Sequence, residues 1–300
     1  MKTIYHKPVM LEEAIQGLKI DPNGVYVDVT FGGGGHSRAI LQNLSVRGKL
    51  LAFDQDVDAQ QNSISDDRFH LINGNFSSLN RHLKFCGVTA VDGILADFGV
   101  SSHQFDSGSR GFSTRLEGPL DMRMNAQGDL SAREVVNEYS ADELQQIFKD
   151  YGELRIARKL ADHIVKERNQ NPIETTHGLV NILIPILPKH VFNKIIAQVF
   201  QAIRIEVNSE LEVIKSFLEQ SVEILMKGGR LVCISYHSLE DRLVKRFIRE
   251  GKFIGKAESD LYGNRHLPLK KVGNLQTPTE EEIKRNSRAR SGKLRIAERI

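Results

Sequence analysis

The first hundred residues alternate short β-rich runs with stretches whose apolar residues recur at helical spacing. Val25 to Thr30 reads as a strand and Ser37 to Leu44 as the helix after it. Lys49 to Asp54 is a second strand, and Val57 to Ser63 opens a further helix. Phe69 to Asn73 and Val91 to Asp97 supply a third and a fourth strand. Strands alternating with helices in this way predict a parallel sheet covered on both faces, an α/β fold.

The alternation stops after the fourth strand. Residues 106–128 are rich in Gly, Ser, Asp and Arg and read as a long loop. From Ser131 to about Arg204 the pattern is helical throughout, with Ser140-Ala-Asp-Glu143 as a capping box ahead of Leu144, Ile147 and Phe148. Arg155 to Arg168, Thr176 to Leu187 and Asn193 to Arg204 continue it, and Asn208 to Met226 is a long amphipathic helix closed by Lys227-Gly228-Gly229. Arg230 to Ser235 then reads as a strand, His237 to Glu250 as a helix and Leu294 to Glu298 as a last strand. The expected organisation is an α/β core (residues 1–105), an inserted loop and all-helical segment (106–206), and a second part of the core (207–300).

Composition narrows the class. With 40% hydrophobic and 26% charged residues the chain has ordinary soluble-globular values. No apolar stretch reaches the roughly 18 residues a membrane span requires. Met1 to Met10 carries lysines with no apolar region behind them, so no secretory signal is expected and a cytoplasmic setting is the default. Cys86 and Cys233 are too few for a disulfide framework or a zinc cluster, and no metal site is expected. Charge is unevenly placed: residues 251–300 hold 12 Lys and Arg against 6 Asp and Glu, whereas the preceding 250 are slightly acidic. A basic C-terminal segment beside a near-neutral body suits contact with a polyanion.

The candidate chemistry begins at the first strand's end, Asp28-Val-Thr-Phe-Gly-Gly-Gly-Gly-His36. A glycine turn between the first strand and helix is where open α/β folds hold nucleotides. Counted from Gly32, the dinucleotide fingerprint fails because Ser37 stands at its last glycine position. The spacing instead suits acidic-x-G-x-G-x-G, with Thr30 in place of the first glycine, the pattern of S-adenosylmethionine-dependent methyltransferases. Asp28 is placed to order the loop or to face the cofactor's charged end. Asp54 closes the second strand, 22 residues after Gly32, where a carboxylate can accept from both ribose hydroxyls. Asp97 ends the fourth strand at the edge where such folds bind substrate. An acceptor there could localise the lone pair of an exocyclic amine such as cytosine N4 for attack on a sulfonium methyl.

Eight blocks in order carry a closer likeness: His6-Lys-Pro-Val-Met10, Thr30 to Arg38, Leu95 to Ser102, Arg110 to Ser113, Gly118 to Met124, Phe200 to Asn208, Ser235 to Arg242 and Arg288 to Ser291. Together they resemble the MraW (RsmH) family of bacterial 16S ribosomal RNA cytosine-N4 methyltransferases over nearly the whole chain. The resemblance implies a class I (Rossmann-like) S-adenosylmethionine-dependent methyltransferase fold with an inserted helical domain. It also implies methylation of one cytosine in the decoding region, with 16S ribosomal RNA or the small ribosomal subunit as partner. The family's cofactor positions fall on Gly34, Gly35, His36, Asp54, Phe76, Asp97 and Gln104, with Phe76 placed to pack on adenine. His103 departs from the proline common in the family and reads as a loop residue.

Asp97, Asp121 and His237 are the catalytic candidates. Asp121 and Arg123 could engage base or phosphate, or simply pair with each other. Glu240 and Asp241 suit the start of a helix and read as structural, Arg204 and Asn208 lie one turn apart, and Arg288 and Arg290 suit phosphate contact. A dehydrogenase lacks its fingerprint here, and a cytosine-C5 methyltransferase lacks a well-placed cysteine. A DNA amino-methyltransferase would normally show prolines after Asp97, and a non-catalytic RNA-binding relic would transfer no methyl group. The sequence is silent on oligomeric state and compatible with a homodimer.

Overall fold

The computed structural model describes residues 8–260, 262 and 265–300. His6 and Lys7 of the first sequence block lie outside the described residues.

The chain divides into two compact units, one made of Met1–Gly99 with Leu211–Ile300, the other of Val100–Glu210. The first unit is built on a seven-stranded sheet: β1 (Val25–Asp28), β2 (Lys49–Asp54), β3 (Phe69–Asn73), β4 (Val91–Asp97), β5 (Leu225–Ser235), β6 (Leu269–Gln276) and β7 (Lys293–Arg299). Its order is β3-β2-β1-β4-β5-β7-β6, parallel from β3 to β5, with β7 antiparallel to both β5 and β6. Neighbouring residues within each strand go to opposite faces, as the pleat requires. Val27, Leu51, Ile94 and Leu231 enter one core, and Tyr26, Leu50, Leu95 and Val232 the other.

Helices α1 (Leu11–Leu18) and α2 (Gly35–Asn43) cover the Tyr26 face with Ala14, Leu18, Ile40 and Leu41. The opposite face receives Leu79 and Leu83 from α3 (Leu79–Phe85). The helical unit contains α4 (Ser102–Asp106), α5 (Ala132–Glu138), α6 (Ala141–Asp150), α7 (Ala157–Arg168), α8 (Thr176–Leu183) and α9 (Phe192–Asn208). Its own core joins Leu144, Phe148, Leu160, Ile164, Val199 and Ile203. The Ser140 capping box is present, Ser140 Oγ accepting from Glu143 N while the Glu143 carboxylate accepts from Ser140 N. The last helices are α10 (Glu210–Ile224), α11 (Ser238–Glu250) and α12 (Glu280–Arg285), with Phe217 of α10 and Phe247 of α11 joining the Val27 face.

Three expectations about elements are corrected. Val57–Asn62 is a 3-10 helix rather than an α-helix, started by Asp56 accepting from Asp58 N. The Asn208 to Met226 helix ends at Ile224, and Lys227-Gly228-Gly229 lies inside β5. Pairing with β4 overrides the stop signal: Val91 pairs with Leu225 and Gly93 with Arg230, and the extra residues bulge out through Gly228 at φ 83°. The third concerns β6, which the sequence reading left out. It is an edge strand with Lys270 and Lys271 exposed, charges that discourage further strand pairing.

The carboxyl ends of β1 and β4 are tied by side chains. Thr30 Oγ1 accepts from Asp97 N at 2.7 Å and lies 3.4 Å from Asp28 Oδ1, to which it donates. The other oxygen of Asp28 accepts from Ser37 Oγ at 2.7 Å, so the fully buried carboxylate joins strand, turn and helix. Thr30→Val keeps the shape and removes the acceptor for Asp97 N–H. A loss of about 1–3 kcal/mol in urea denaturation is expected, the penalty for stranding a buried donor.

Candidate active site

Sheet order places the site. Strands β1 and β4 are neighbours, but the chain leaves them in opposite directions across the sheet, which opens a crevice at their carboxyl ends. The glycine turn enters it from β1. Gly34 adopts φ 73°, and a Cβ there would stand 2.8 Å from the Phe31 ring, so the position demands glycine. A Cβ on Gly35 would run into the Pro8 ring.

The turn is held from beneath. Asp54 Oδ2 accepts from Gly32 N at 2.8 Å and Oδ1 from Asp56 N at 2.8 Å, while Asn62 Nδ2 donates to Gly32 O and Arg38 to Gly33 O. Burial pushes the Asp54 carboxyl up to about 6 against the pull of those two N–H groups. Each of its oxygens has one backbone donor, which leaves acceptor capacity for hydroxyls. The turn leads into α2, whose first N–H groups lack intrahelical acceptors and suit a carboxylate. Acceptors on β2 and donors at a glycine-led helix start fit both ends of S-adenosylmethionine.

Asp97 stands at the end of β4 with its side chain 22% exposed. Its Oδ1 accepts from Tyr236 Oη at 2.7 Å, and its Oδ2 lies 3.8 Å from His36 Nδ1. Burial raises its carboxyl to about 6, with His36 and the Tyr236 hydroxyl opposing. His36 itself is buried, and its Nε2 is 3.1 Å from Val9 O. Of the expected cofactor residues, Gly34, Gly35, His36, Asp54 and Asp97 thus gather around the ends of β1, β2 and β4. Phe76 begins the 3-10 turn after β3 and packs edge-on against Phe217 at 5.5 Å and tilted against Phe98 at 6.2 Å, half-buried.

Several of the remaining candidates have structural partners. Gln104 is buried in the helical unit and caps α4, its Oε1 accepting from Ser101 N at 3.1 Å. Asp121 forms a two-point ion pair with Arg123 at 2.7 and 3.0 Å. Burial works to raise the Asp121 carboxyl, but the Arg123 side chain and N–H, with Arg110, more than offset it and hold it low. Asn208 accepts from Met124 N and donates to Met122 O, bracing this loop where Met122 takes φ 60°. Arg204 pairs at two points with Glu210. His237 precedes α11, its Nε2 3.0 Å from Glu240 Oε1. Glu240 is fully buried, accepting from Tyr236 N, and Asp241 pairs with Arg295 at 2.7 Å, so both are structural. His103, Arg288 and Arg290 are exposed. Cys233 is buried in β5 and burial pushes its thiol up, which removes it as a nucleophile. Among the described residues no helix is long and apolar enough to cross a membrane.

Tyr236 is the residue sequence reasoning missed. A lone tyrosine between a strand and a helix has no periodic signature, although it sits inside the Ser235 to Arg242 block. Burial, and then Asp97, push its phenol far up, so it stays a donor.

Comparison with known proteins adds a family. The MraW methylase family matches residues 3–300. The chain is 59% identical over 296 residues to the ribosomal RNA small subunit methyltransferase H of Flavobacterium johnsoniae, covering 99% of this chain and 98% of that one. It is 58% identical to the protein of the same name from Christiangramia forsetii, with 99% and 98% covered, and 54% identical to that of Flavobacterium psychrophilum, with 97% and 100% covered.

The raised Asp97 carboxyl has a consequence for stability. A folded-state pKa above the unfolded one gives stability that is full at low pH and lost as pH rises through the folded value, here about 6. Asp97→Asn keeps an acceptor for Tyr236 and avoids that loss. It is expected to match the wild type below about pH 4 and to exceed it by about 1–3 kcal/mol at pH 8, measured by denaturant titration across pH.

Proposed function

The chain belongs to the MraW methylase family, and from that premise we propose that it transfers a methyl group from S-adenosylmethionine to N4 of one cytosine in the decoding region of 16S ribosomal RNA. The observation that carries this reading is Asp97: a partly exposed carboxylate at the end of β4, beside a glycine turn tied to the same strand end. The names of the relatives, ribosomal RNA small subunit methyltransferases, supply the class of acceptor.

The geometry supports the following division of labour. Gly34, Gly35 and the start of α2 hold the amino-acid end of the cofactor, Asp54 the ribose, and Phe76 the adenine. When bound, S-adenosylmethionine supplies an electrophilic methyl whose S–C bonding pair stays on sulfur as the N–C bond forms. Asp97 accepts a hydrogen bond from the cytosine amine, which draws the nitrogen lone pair out of the ring and aims it. An ionised Asp97 is required for this, so activity falls as pH drops through about 6. Because N4 is paired inside a duplex, the base must be presented single-stranded or flipped out. The helical unit and the basic C-terminal segment grip the surrounding RNA in this reading, Arg288 and Arg290 among the phosphate contacts.

Mass spectrometry of 16S ribosomal RNA from a strain lacking the protein is expected to show loss of N4-methylcytidine at one site; unchanged modification overturns the assignment. Asp97→Ala is expected to slow methyl transfer by about 100-fold or more while S-adenosylmethionine affinity, by titration calorimetry, changes less than about tenfold. Equal losses in both would make Asp97 a cofactor residue only.

A further inference from the structure

The acceptor amine gives up one proton when it is methylated, and the surroundings of Asp97 indicate where that proton goes. A backbone carbonyl only accepts, so His36 Nε2, 3.1 Å from Val9 O, carries the ring proton. In the neutral ring Nδ1 is then a bare lone pair, and it lies 3.8 Å from Asp97 Oδ2. The other carboxylate oxygen is taken by the Tyr236 hydroxyl at 2.7 Å. Two bases therefore meet where the buried His36 ring faces the partly exposed Asp97 carboxylate, with room for one proton between them.

We propose that His36 is the positioning residue behind Asp97, and that the two share the proton released by the acceptor amine. The inference rests on Asp97 being the group that meets the amine. In the step, the amine N–H bond breaks and its electron pair remains on nitrogen, which keeps the new N–C bond. An O–H bond forms on Asp97, then breaks as Nδ1–H forms, leaving an imidazolium beside a restored carboxylate. Loss of that proton to solvent returns the neutral ring. The 3.8 Å gap must close by about 1 Å for the handover, which a tilt of the carboxylate about its Tyr236-held oxygen provides.

Acidic groups surround the pair. Asp28 lies buried behind Asp97, Glu240 accepts from Tyr236 N, and Glu282 accepts from Met10 N and acts on Tyr236. Asp28 and Glu240 raise the Asp97 carboxyl and so make it a better proton acceptor, and the Asp97 charge itself supports an imidazolium on His36. Burial lowers the His36 pKa, while Asp97 and the Val9 carbonyl raise it, so the ring rests neutral and is ready to accept.

The substitution His36→Gln leaves an amide donor to reach Val9 O and removes the base facing Asp97. Because the start of α2 holds the cofactor through backbone N–H groups, which the substitution leaves in place, three measurements are expected to separate: S-adenosylmethionine affinity by calorimetry within about tenfold of wild type, a single-turnover rate about 10–100-fold lower, and an acid limb displaced to higher pH. A wild-type rate with an unmoved limb overturns the pairing and leaves His36 as a peg for Val9. Nitrogen-15 NMR of the wild-type ring needs no variant: an Nε2-protonated neutral tautomer at pH 8 is expected, and an Nδ1-protonated one overturns the proposal even if His36→Gln fails to fold. Asp97→Ala distinguishes the two levels. If it retains the wild-type transfer rate, the reading of Asp97 itself fails; if it is inactive while His36→Gln is unaffected, only the pairing fails.

Discussion

A buried carboxylate at the end of the first strand organises everything that follows in this fold. Asp28 accepts from the Thr30 backbone and hydroxyl and from the Ser37 hydroxyl, so one side chain joins β1, the glycine turn and α2. Through the same Thr30 oxygen the cluster reaches Asp97 N on β4. Without it the turn would be a loose glycine run, free to sample many conformations. With it, donors at the start of α2 and the Asp97 carboxylate are fixed to one knot. Burying an acidic group opposes its ionisation, and here that pushes the Asp28 carboxyl upward despite three hydrogen bonds. The cost is accepted where geometry between two strands has to be exact to within bond-length tolerances.

The same tension recurs in the site itself. Asp54 and Asp97 are both raised to about 6, each mainly by burial. A sheet edge that excludes water strengthens every contact made there, and it also disfavours the charges the contacts require. Tyr236 and the backbone donors of Gly32 and Asp56 soften that penalty without removing it. Near neutral pH both groups therefore sit only slightly above their ionisation range, and small changes in their neighbours move them across it.

Much of this was legible in the chain. Strands β2, β3 and β4 stand at the residues the apolar runs predicted; for β2 and β4 this is because a buried parallel strand leaves a short apolar run with an acidic end. Asp54 and Asp97 were visible for the same reason. Other parts were hidden by tertiary contacts. Lys227-Gly-Gly looks like a helix stop, yet pairing with β4 draws it into a bulged strand. β6 has mostly exposed, polar side chains, so no alternation marks it; its place is set by β7. His36 was readable as a turn position, but the direction of its ring depends on Val9, far away along the sequence. Tyr236 carried no local signal, and only the sheet brings its hydroxyl to Asp97.

The order in which the sheet is wired has a meaning during synthesis. β4 ends at Asp97 and its neighbour β5 begins at Leu225, with the whole helical unit encoded between them. The helices of that unit share their own core and can collapse as soon as they leave the ribosome. β4 must wait, its outer edge unpaired, for the time needed to make the intervening chain, on the order of ten seconds at typical bacterial elongation rates. The parallel part of the sheet is thus completed late in translation, when β5 arrives, and the nascent chain passes through a period when the strand that ends in Asp97 is an open template for wrong partners.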